Sequence, residues 1–170
     1  MANDRLYREN TFWGLAYPEA FSQLGVFPAA ELNNSMLVKD LTCALWEDDT
    51  EMTLGDSESD DGLTFCSKAG ETTPTFFNPT TVFTAVRDKD RAADGLFNMA
   101  YDHLAFPDIT YFAIKRVGKP NTAPFVAGDE IQVARVKTDW GVDLLESGSN
   151  VRLQQSFLAD DFTAWNVTVS

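Results

Sequence analysis

Apolar and polar residues alternate with a period of two along most of this chain, which is the spacing of β-strands whose two faces meet different surroundings. The alternation predicts strands over residues 35–46, 63–67, 80–87, 109–117, 130–138 and 151–158, and it returns at Trp165, Val167 and Val169. The chain is therefore predicted to hold about six or seven strands.

One segment has the spacing of a helix instead. Between residues 91 and 106, the side chains of one face recur at intervals of three and four: Leu96, Met99, Ala100 and His103. Asp90 precedes this segment as a candidate N-cap, and Pro107 follows it as a stop. We therefore expect a mainly β protein with one α-helix, arranged as a β-sandwich or a partly open barrel.

The domain organisation is predicted to be simple. The 170 residues with 44% hydrophobic content suit a single domain over residues 1–170, and no Pro-rich or Gly/Ser-rich linker divides the chain. Residues 1–30 hold aromatic side chains without a sustained period, so we expect an N-terminal arm that packs its rings on the chain's own sheet or on a neighbouring copy. The candidate anchors of this arm are Phe12, Trp13, Tyr17 and Phe21.

Negative charge dominates the chain. There are 13 Lys and Arg residues against 26 Asp and Glu residues, a formal net charge of -13. Such an excess argues against a protein that grips nucleic acid through its phosphates. Residues 47–61 are densely acidic and are predicted to form a long hairpin loop, which is either a solvated loop or a functional contact. These acids are Glu47, Asp48, Asp49, Glu51, Asp56, Glu58, Asp60 and Asp61.

The sequence lacks the common signatures of catalysis and of metal binding. It contains no G-x-S-x-G, C-x-x-C, H-E-x-x-H or phosphate-binding glycine loop. The only histidine, His103, has no nucleophile or metal-ligand partner at a defined spacing. No apolar run approaches the roughly 20 residues that span a bilayer. We therefore expect no enzyme activity, no catalytic or metal-binding residues, no cofactor and no membrane partner.

The most specific pattern lies between residues 111 and 145. A strand ends in Lys115 and Arg116, a turn-rich connector follows, and a second strand ends in Trp140-Gly141. The connector holds Ala123, Phe125, Ala127 and Gly128-Asp129. This order resembles the C-terminal half of the major tail tube proteins of long, non-contractile-tailed phages, the actinobacterial type in particular.

Further matches to that family lie upstream, in the family's order. They are Glu31-Leu32-Asn33, Asp40-Leu41-Thr42, Arg87-Asp88 and Ala93-Asp94-Gly95-Leu96-Phe97. The resemblance implies a structural virion protein that forms homo-hexameric rings stacked into a tail tube, through which the genome passes without specific binding. It also implies contacts with the tape measure, tail terminator and tail tip proteins, and assembly in the bacterial host cytoplasm.

Within this interpretation, charged residues are candidate contacts between subunits. The acidic segment over residues 47–61 is predicted to contact the next ring. The candidate charge partners between subunits are Arg87, Arg91, Lys115, Arg116, Arg135 and Lys137. Two alternatives stay open: a capsid decoration or head-tail joining protein, and a β-sandwich module that binds a carbohydrate or another ligand on Trp46 or Trp140.

Overall fold

The alternating segments form two antiparallel sheets that pack against each other as a β-sandwich, with one longer helix beside them. The structure is a computed structural model, and it describes residues 10–55, 58–62, 71–76, 78–146 and 150–170. The strands are β1 (Thr11–Ala16), β2 (Val38–Asp40), β3 (Glu51–Leu54), β4 (Glu58–Gly62), β5 (Glu71–Phe76), β6 (Pro79–Val86), β7 (Thr110–Val117), β8 (Glu130–Lys137), β9 (Val142–Leu144), β10 (Arg152–Ser156) and β11 (Leu158–Thr168). The helices are α1 (Ala29–Leu32) and α2 (Leu96–Leu104), and short 3-10 turns cover Pro18–Ala20, Thr42–Ala44 and Glu47–Asp49.

The strand order separates two main sheets from a small hairpin. The five-stranded sheet has the order β11-β8-β7-β1-β2, and the four-stranded sheet has the order β3-β6-β10-β9. β4 and β5 pair only with each other, and we call them the β4–β5 hairpin. Both main sheets end in open edges among the described strands. The prediction of a β-sandwich is confirmed, and the fold is not a closed barrel.

The inner strands of the five-stranded sheet, β8, β7 and β1, are buried on both faces. In β7, Tyr111 and Ala113 enter the core that the two main sheets share. Phe112 and Ile114, which alternate with them, enter a second core on the opposite face. Side chains from residues 20–38 cover this second core. Because both faces are apolar, the strand is almost continuously hydrophobic in sequence.

The four-stranded sheet has one buried and one open face. Its inward side chains are Met52, Phe83, Ala85 and Leu153, and they pack into the shared core. The alternating residues of the same strands face away from that core, and those exposed to solvent include Glu51, Thr53, Thr80 and Ser156. We call this surface the open face.

Helix α2 is shorter than the predicted segment over residues 91–106. It begins after Gly95, which adopts an extended conformation at the N-cap and makes no side-chain cap. Asp90 does not cap the helix, because its carboxylate accepts a hydrogen bond from the Ala92 amide at 3.0 Å and closes a local turn. Asn98 joins that turn to the helix by donating its side-chain amide to the Asp90 carbonyl at 2.7 Å.

The strands predicted over residues 80–87, 109–117, 130–138 and 151–158 are confirmed as β6, β7, β8 and β10, with small differences at their ends. The strand predicted over residues 35–46 is wrong, because only Val38–Asp40 pairs and Thr42–Ala44 turns as a 3-10 helix. The Asp40 carboxylate accepts from the Thr42 amide at 2.9 Å and so favours that turn. The strand predicted over residues 63–67 lies outside the described residues.

Two predictions about long irregular segments are corrected. Residues 11–16 are not part of an arm: they form β1, which pairs with β7 on one side and β2 on the other. Residues 47–55 are not a loop, because Glu51–Leu54 pairs with β6 and buries Met52 in the core. Residues 1–9 and Asp56 lie outside the described part of the chain.

Candidate assembly surfaces

The open face carries a covered positive charge. Arg152 is the one basic residue in the four strands of this sheet. Its guanidinium donates a hydrogen bond to Asp49 at 2.5 Å, forms an ion pair with Glu146 at 2.6 Å, and lies 5.0 Å from the centre of the Trp46 ring. The Arg152 side chain is only 4% exposed, whereas the two carboxylates are 36% and 64% exposed. The carboxylates therefore lie between the guanidinium and the solvent.

A shallow cavity of about 310 Å³ lies on the same face. It is lined by Asp48, Asp49, Glu51, Val82, Gln154 and Ser156. Acids and neutral polar groups dominate this lining. It is not the aromatic groove that a carbohydrate-binding site requires, and Trp46 is already covered by Arg152.

The two edges of the four-stranded sheet expose apolar side chains. At the β9 edge, Val142 is 59% exposed and the following Leu145 is 77% exposed. At the β3 edge, Leu54 is 40% exposed. Edge strands carry unpaired backbone groups and are usually protected by Lys or Pro, and neither β3 nor β9 contains one. Both edges are therefore suited to pairing with another strand.

Arg116 is not a contact between subunits, because it is buried within the chain. Its side chain is 1% exposed, and its guanidinium donates to Asp129 at 3.3 Å and to the carbonyls of Pro120 and Ala123, both at 2.9 Å. Asp129 also accepts a hydrogen bond from Lys119. All the acceptors of the Arg116 guanidinium belong to the connection between β7 and β8.

The other basic candidates also have partners within the chain. The pairs are Arg87 with Asp143 at 2.6 Å, Arg91 with Asp102 at 2.9 Å, Arg135 with Asp161 at 3.0 Å and Lys137 with Asp108 at 2.8 Å. Lys115 lies 4.9 Å from the centre of the Trp13 ring, and burial lowers its pKa. These side chains are partly exposed, so their role between subunits stays a prediction.

The four aromatic anchors pack on the chain's own sheet. Phe12 and Phe21 are 4% and 9% exposed and lie in the second core. The Phe12 ring meets Phe125 edge-on, with 4.9 Å between ring centres. Trp13 and Tyr17 are partly buried against the shared core. Of the two surfaces that the sequence left open for these rings, Phe12 and Phe21 pack on the chain's own sheet.

The acidic candidates divide between two places. Glu47, Asp48 and Asp49 form a 3-10 turn beside the open face, and Glu51 follows in β3. Glu58, Asp60 and Asp61 lie on β4 of the β4–β5 hairpin, which is separate from both main sheets. The predicted single acidic loop thus becomes two acidic regions.

The described part of the chain shows no constellation for metal chemistry, because none of its residues forms a group of three or more potential metal ligands. His103 is half-buried, and its Nδ1 lies 3.1 Å from the Tyr111 hydroxyl. Within the same residues, no helix is long and apolar enough to cross a membrane.

A family model described as Phage tail tube protein matches residues 8–170. This chain belongs to the phage tail tube protein family. Its members are structural proteins of the phage tail, so the chain is a virion component that assembles into a tube with other tail proteins. The match confirms the resemblance to phage tail tube proteins and extends beyond the matched segments at both ends, whereas the actinobacterial type stays a prediction. No curated protein sequence matches the chain.

The sequence of this tail tube protein did not reveal the role of Arg152. Its partner Asp49 lies 103 positions away, so no local spacing connects them. One signal was available: Arg152 is the only basic residue after Lys137 in an acidic chain. A lone cation at an alternating position of a strand has a strong reason to pair with carboxylates.

Proposed function

We propose that six copies of this chain close into a ring and that the rings stack into the tail tube through which the genome passes. Assembly takes place in the bacterial host cytoplasm, on tail tip and tape measure proteins, and a tail terminator ends the tube. The observation that carries this proposal, beyond family membership, is the pair of open apolar edges on the four-stranded sheet.

In a ring, β9 of one subunit lies beside β3 of the next, so each sheet continues into its neighbour. This head-to-tail contact uses two different surfaces, which is what a cyclic assembly needs. It also removes the exposed edges, which otherwise promote aggregation. The exposed Val142, Leu145 and Leu54 side chains become buried at the junction.

The open face of the four-stranded sheet then lines the channel. The five-stranded sheet is less suited to this position, because its inner strands β8, β7 and β1 have protein on both faces. Six sheets of four strands make 24 strands (6 × 4). With about 4.8 Å between strands and a tilt of about 40°, a 24-stranded barrel has a backbone diameter of roughly 48 Å. Inward side chains leave a channel wide enough for a DNA duplex.

The β4–β5 hairpin is suited to contact between rings. Its two strands pair only with each other and with neither main sheet. Its strand β4 carries Glu58, Asp60 and Asp61. A basic surface on the next ring would neutralise these charges, which otherwise repel one another.

Electron microscopy of assembled particles tests the proposal. We expect reconstructed tails to show stacked rings of six with this chain as the tube wall and the four-stranded sheet facing the channel. A different position, such as the capsid surface or the head-tail joint, or a ring of another size, would contradict it.

A further inference from the structure

In the proposed tube, Arg152 lies on the open face, which lines the channel. If its guanidinium had no carboxylate partners, its charge would be available to the DNA. It alternates in β10 with Leu153, which points into the shared core, so Arg152 belongs to the open face. Its cross-strand partner is Val86, and Gln154 lies on the same face. Around it, the surface is neutral or acidic. One uncovered arginine in each subunit would therefore be the main cationic group on this face.

The structure covers this guanidinium with more negative charge than a simple ion pair requires. Asp49 comes from the 3-10 turn before β3, and Glu146 comes from the segment after β9. Each carboxylate binds a different terminal nitrogen of Arg152. The cluster carries two negative charges against one positive charge, so its net charge is negative. Trp46 shields the guanidinium from a further side.

We propose that Asp49 and Glu146 mask Arg152 so that the channel wall presents no free cation to the passing DNA. This inference rests on the proposed function, in which the open face lines the channel. Free arginines repeated in every ring would bind phosphates and release counterions, and each such contact would hold the DNA. The masked arrangement keeps the structural benefit of Arg152, which joins three segments, without that binding. Asp49 and Glu146 are thus positioning residues for passage rather than contacts with DNA.

The test measures how much DNA the assembled tubes retain. Tubes of the full chain are sedimented with a fluorescent 20-base-pair duplex, comparing wild type with the double variant Asp49→Asn, Glu146→Gln. At about 50 mM salt, we expect the variant to retain roughly tenfold more duplex, and to release it as salt rises. Adding Arg152→Gln to the double variant returns retention to the wild-type level, because the unmasked cation is gone.

A matched control is available in the five-stranded sheet. Arg135 also lies between two carboxylates, Asp160 at 3.3 Å and Asp161 at 3.0 Å. Asp160→Asn with Asp161→Asn changes the net charge by the same amount but frees an arginine away from the open face. We expect this control to retain no more duplex than wild type. Equal retention by both double variants, or no retention by the Asp49, Glu146 variant in intact tubes, overturns the inference.

Two further measurements distinguish a failure of this inference from a failure of the proposed function. If the Asp49, Glu146 variant does not assemble, Thr80→Lys places a cation at an exposed position of the same face, outside the acidic cavity. Retention of duplex by Thr80→Lys tubes supports the inference, and its absence overturns it. Wild-type chain that forms no tube at all, by itself or on tail tips, overturns the proposed function and this inference together. Tubes that form, but whose retention of duplex does not change with these substitutions, overturn the inference alone.

Discussion

Arg116 and Asp129 form an ion pair at the base of the β7–β8 connection, with 3.3 Å between guanidinium and carboxylate and less than 5% of either side chain exposed. The same guanidinium binds three backbone carbonyls of that connection, those of Pro120, Ala123 and Pro124. Arg116 also lies 4.3 Å from the centre of the Phe125 ring. The connection is therefore held within the subunit around one buried cation.

Asp129→Asn should destabilise the subunit strongly. Burial by itself would raise the pKa of Asp129, but hydrogen bonds from Lys119 and the Val126 amide and the charges of Lys119 and Arg116 together lower it. Loss of one partner of a buried pair leaves the other charge uncompensated, which costs about 3–5 kcal/mol. Urea unfolding of the monomer measures this cost. The control Asp161→Asn breaks a pair whose carboxylate is 73% exposed, and we expect a change below about 1 kcal/mol.

The same substitution has a defined pH dependence. A carboxylate whose folded pKa is lowered contributes stability above its unfolded value of 3.8, and that contribution disappears as pH falls through the folded value. The stability difference between wild type and Asp129→Asn should therefore shrink in acid. A constant difference down to the acid transition would show that lost packing, and not charge, causes the effect.

Phe12→Ala should unfold or severely destabilise the isolated subunit. The ring is 4% exposed and fills the second core between β1 and the β7–β8 connection. Truncation of a buried Phe costs about 3–5 kcal/mol, which is a large part of a domain's stability. Met36→Ala, at a side chain that is 78% exposed, is the control and should change little. A Phe12→Ala monomer that is as stable as wild type but assembles poorly would indicate instead that this ring packs on a neighbouring copy.

The position of β1 shows where pattern reasoning fails. The segment TFWGLA lies inside the sheet and is buried on both faces, so after Thr11 it has no polar positions to reveal a period of two. Gly14 also makes this strand difficult to predict from the sequence. A Cβ there would lie 2.7 Å from the Lys39 carbonyl, so the close approach of β2 requires glycine, a residue that usually argues against a strand.

The β7–β8 pair was predictable for the opposite reason, because its strands are long and strongly apolar and the connection between them is rich in turn residues. The clusters around Arg152 and Arg116 were not. Arg152 meets Asp49 across 103 positions, and the sequence gives no local reason for that distance. Adjacent residues of a strand point to opposite faces, so Lys115 and Arg116 lie on different sides of β7, but this rule does not reveal that Arg116 is buried.

His103 should make the fold sensitive to mild acid. Burial lowers its pKa below the ordinary value of 6.5, the charge of Lys39 lowers it further, and Asp102 opposes the shift. Tyr17 and Tyr111 pack around the ring. Because the unfolded chain then binds the proton more readily, stability falls as pH drops below 6.5 toward the folded value.

Melting temperatures measured at about pH 7.5 and 5.5 test this behaviour. Wild type should lose more between the two values than His103→Gln, which keeps a side chain able to hydrogen-bond with Tyr111 and does not titrate. Parallel losses in the two proteins would assign the acid sensitivity to the carboxylates instead.

Val142→Lys should stop ring closure without unfolding the subunit. The Val142 side chain is 59% exposed at the β9 edge, so we expect the substitution to change the monomer's free energy of unfolding by no more than about 0.5 kcal/mol. A charge at that position blocks pairing with the edge of the next subunit. Leu54→Lys on β3 should have the same effect, and Met36→Lys, outside both edges, should assemble normally. Size measurements and micrographs decide between the outcomes. Rings formed normally by both edge variants would exclude the β9–β3 junction.

Amide substitutions on the β4–β5 hairpin should weaken stacking between rings and leave the subunit intact. Glu58→Gln, Asp60→Asn and Asp61→Asn remove the charges of β4, a strand that pairs only with β5. Exposed charge pairs contribute roughly 0.2–1 kcal/mol each and are screened by salt, so several must act together across each contact. Tube length should therefore fall in the variant, and its dependence on salt should weaken.

The acids of the open face provide the comparison for that experiment. Glu47→Gln, Asp48→Asn and Glu51→Gln remove the same number of charges from the 3-10 turn and from β3, and none from the hairpin strands. If ring stacking depends on the hairpin, tubes of this second variant keep wild-type length and salt dependence. Equal shortening of both sets of tubes would point to overall charge, because self-repulsion of an acidic chain changes by the same amount in each. Unchanged tubes from the hairpin variant alone would leave β4 without a part in stacking, and its carboxylates would then serve solubility.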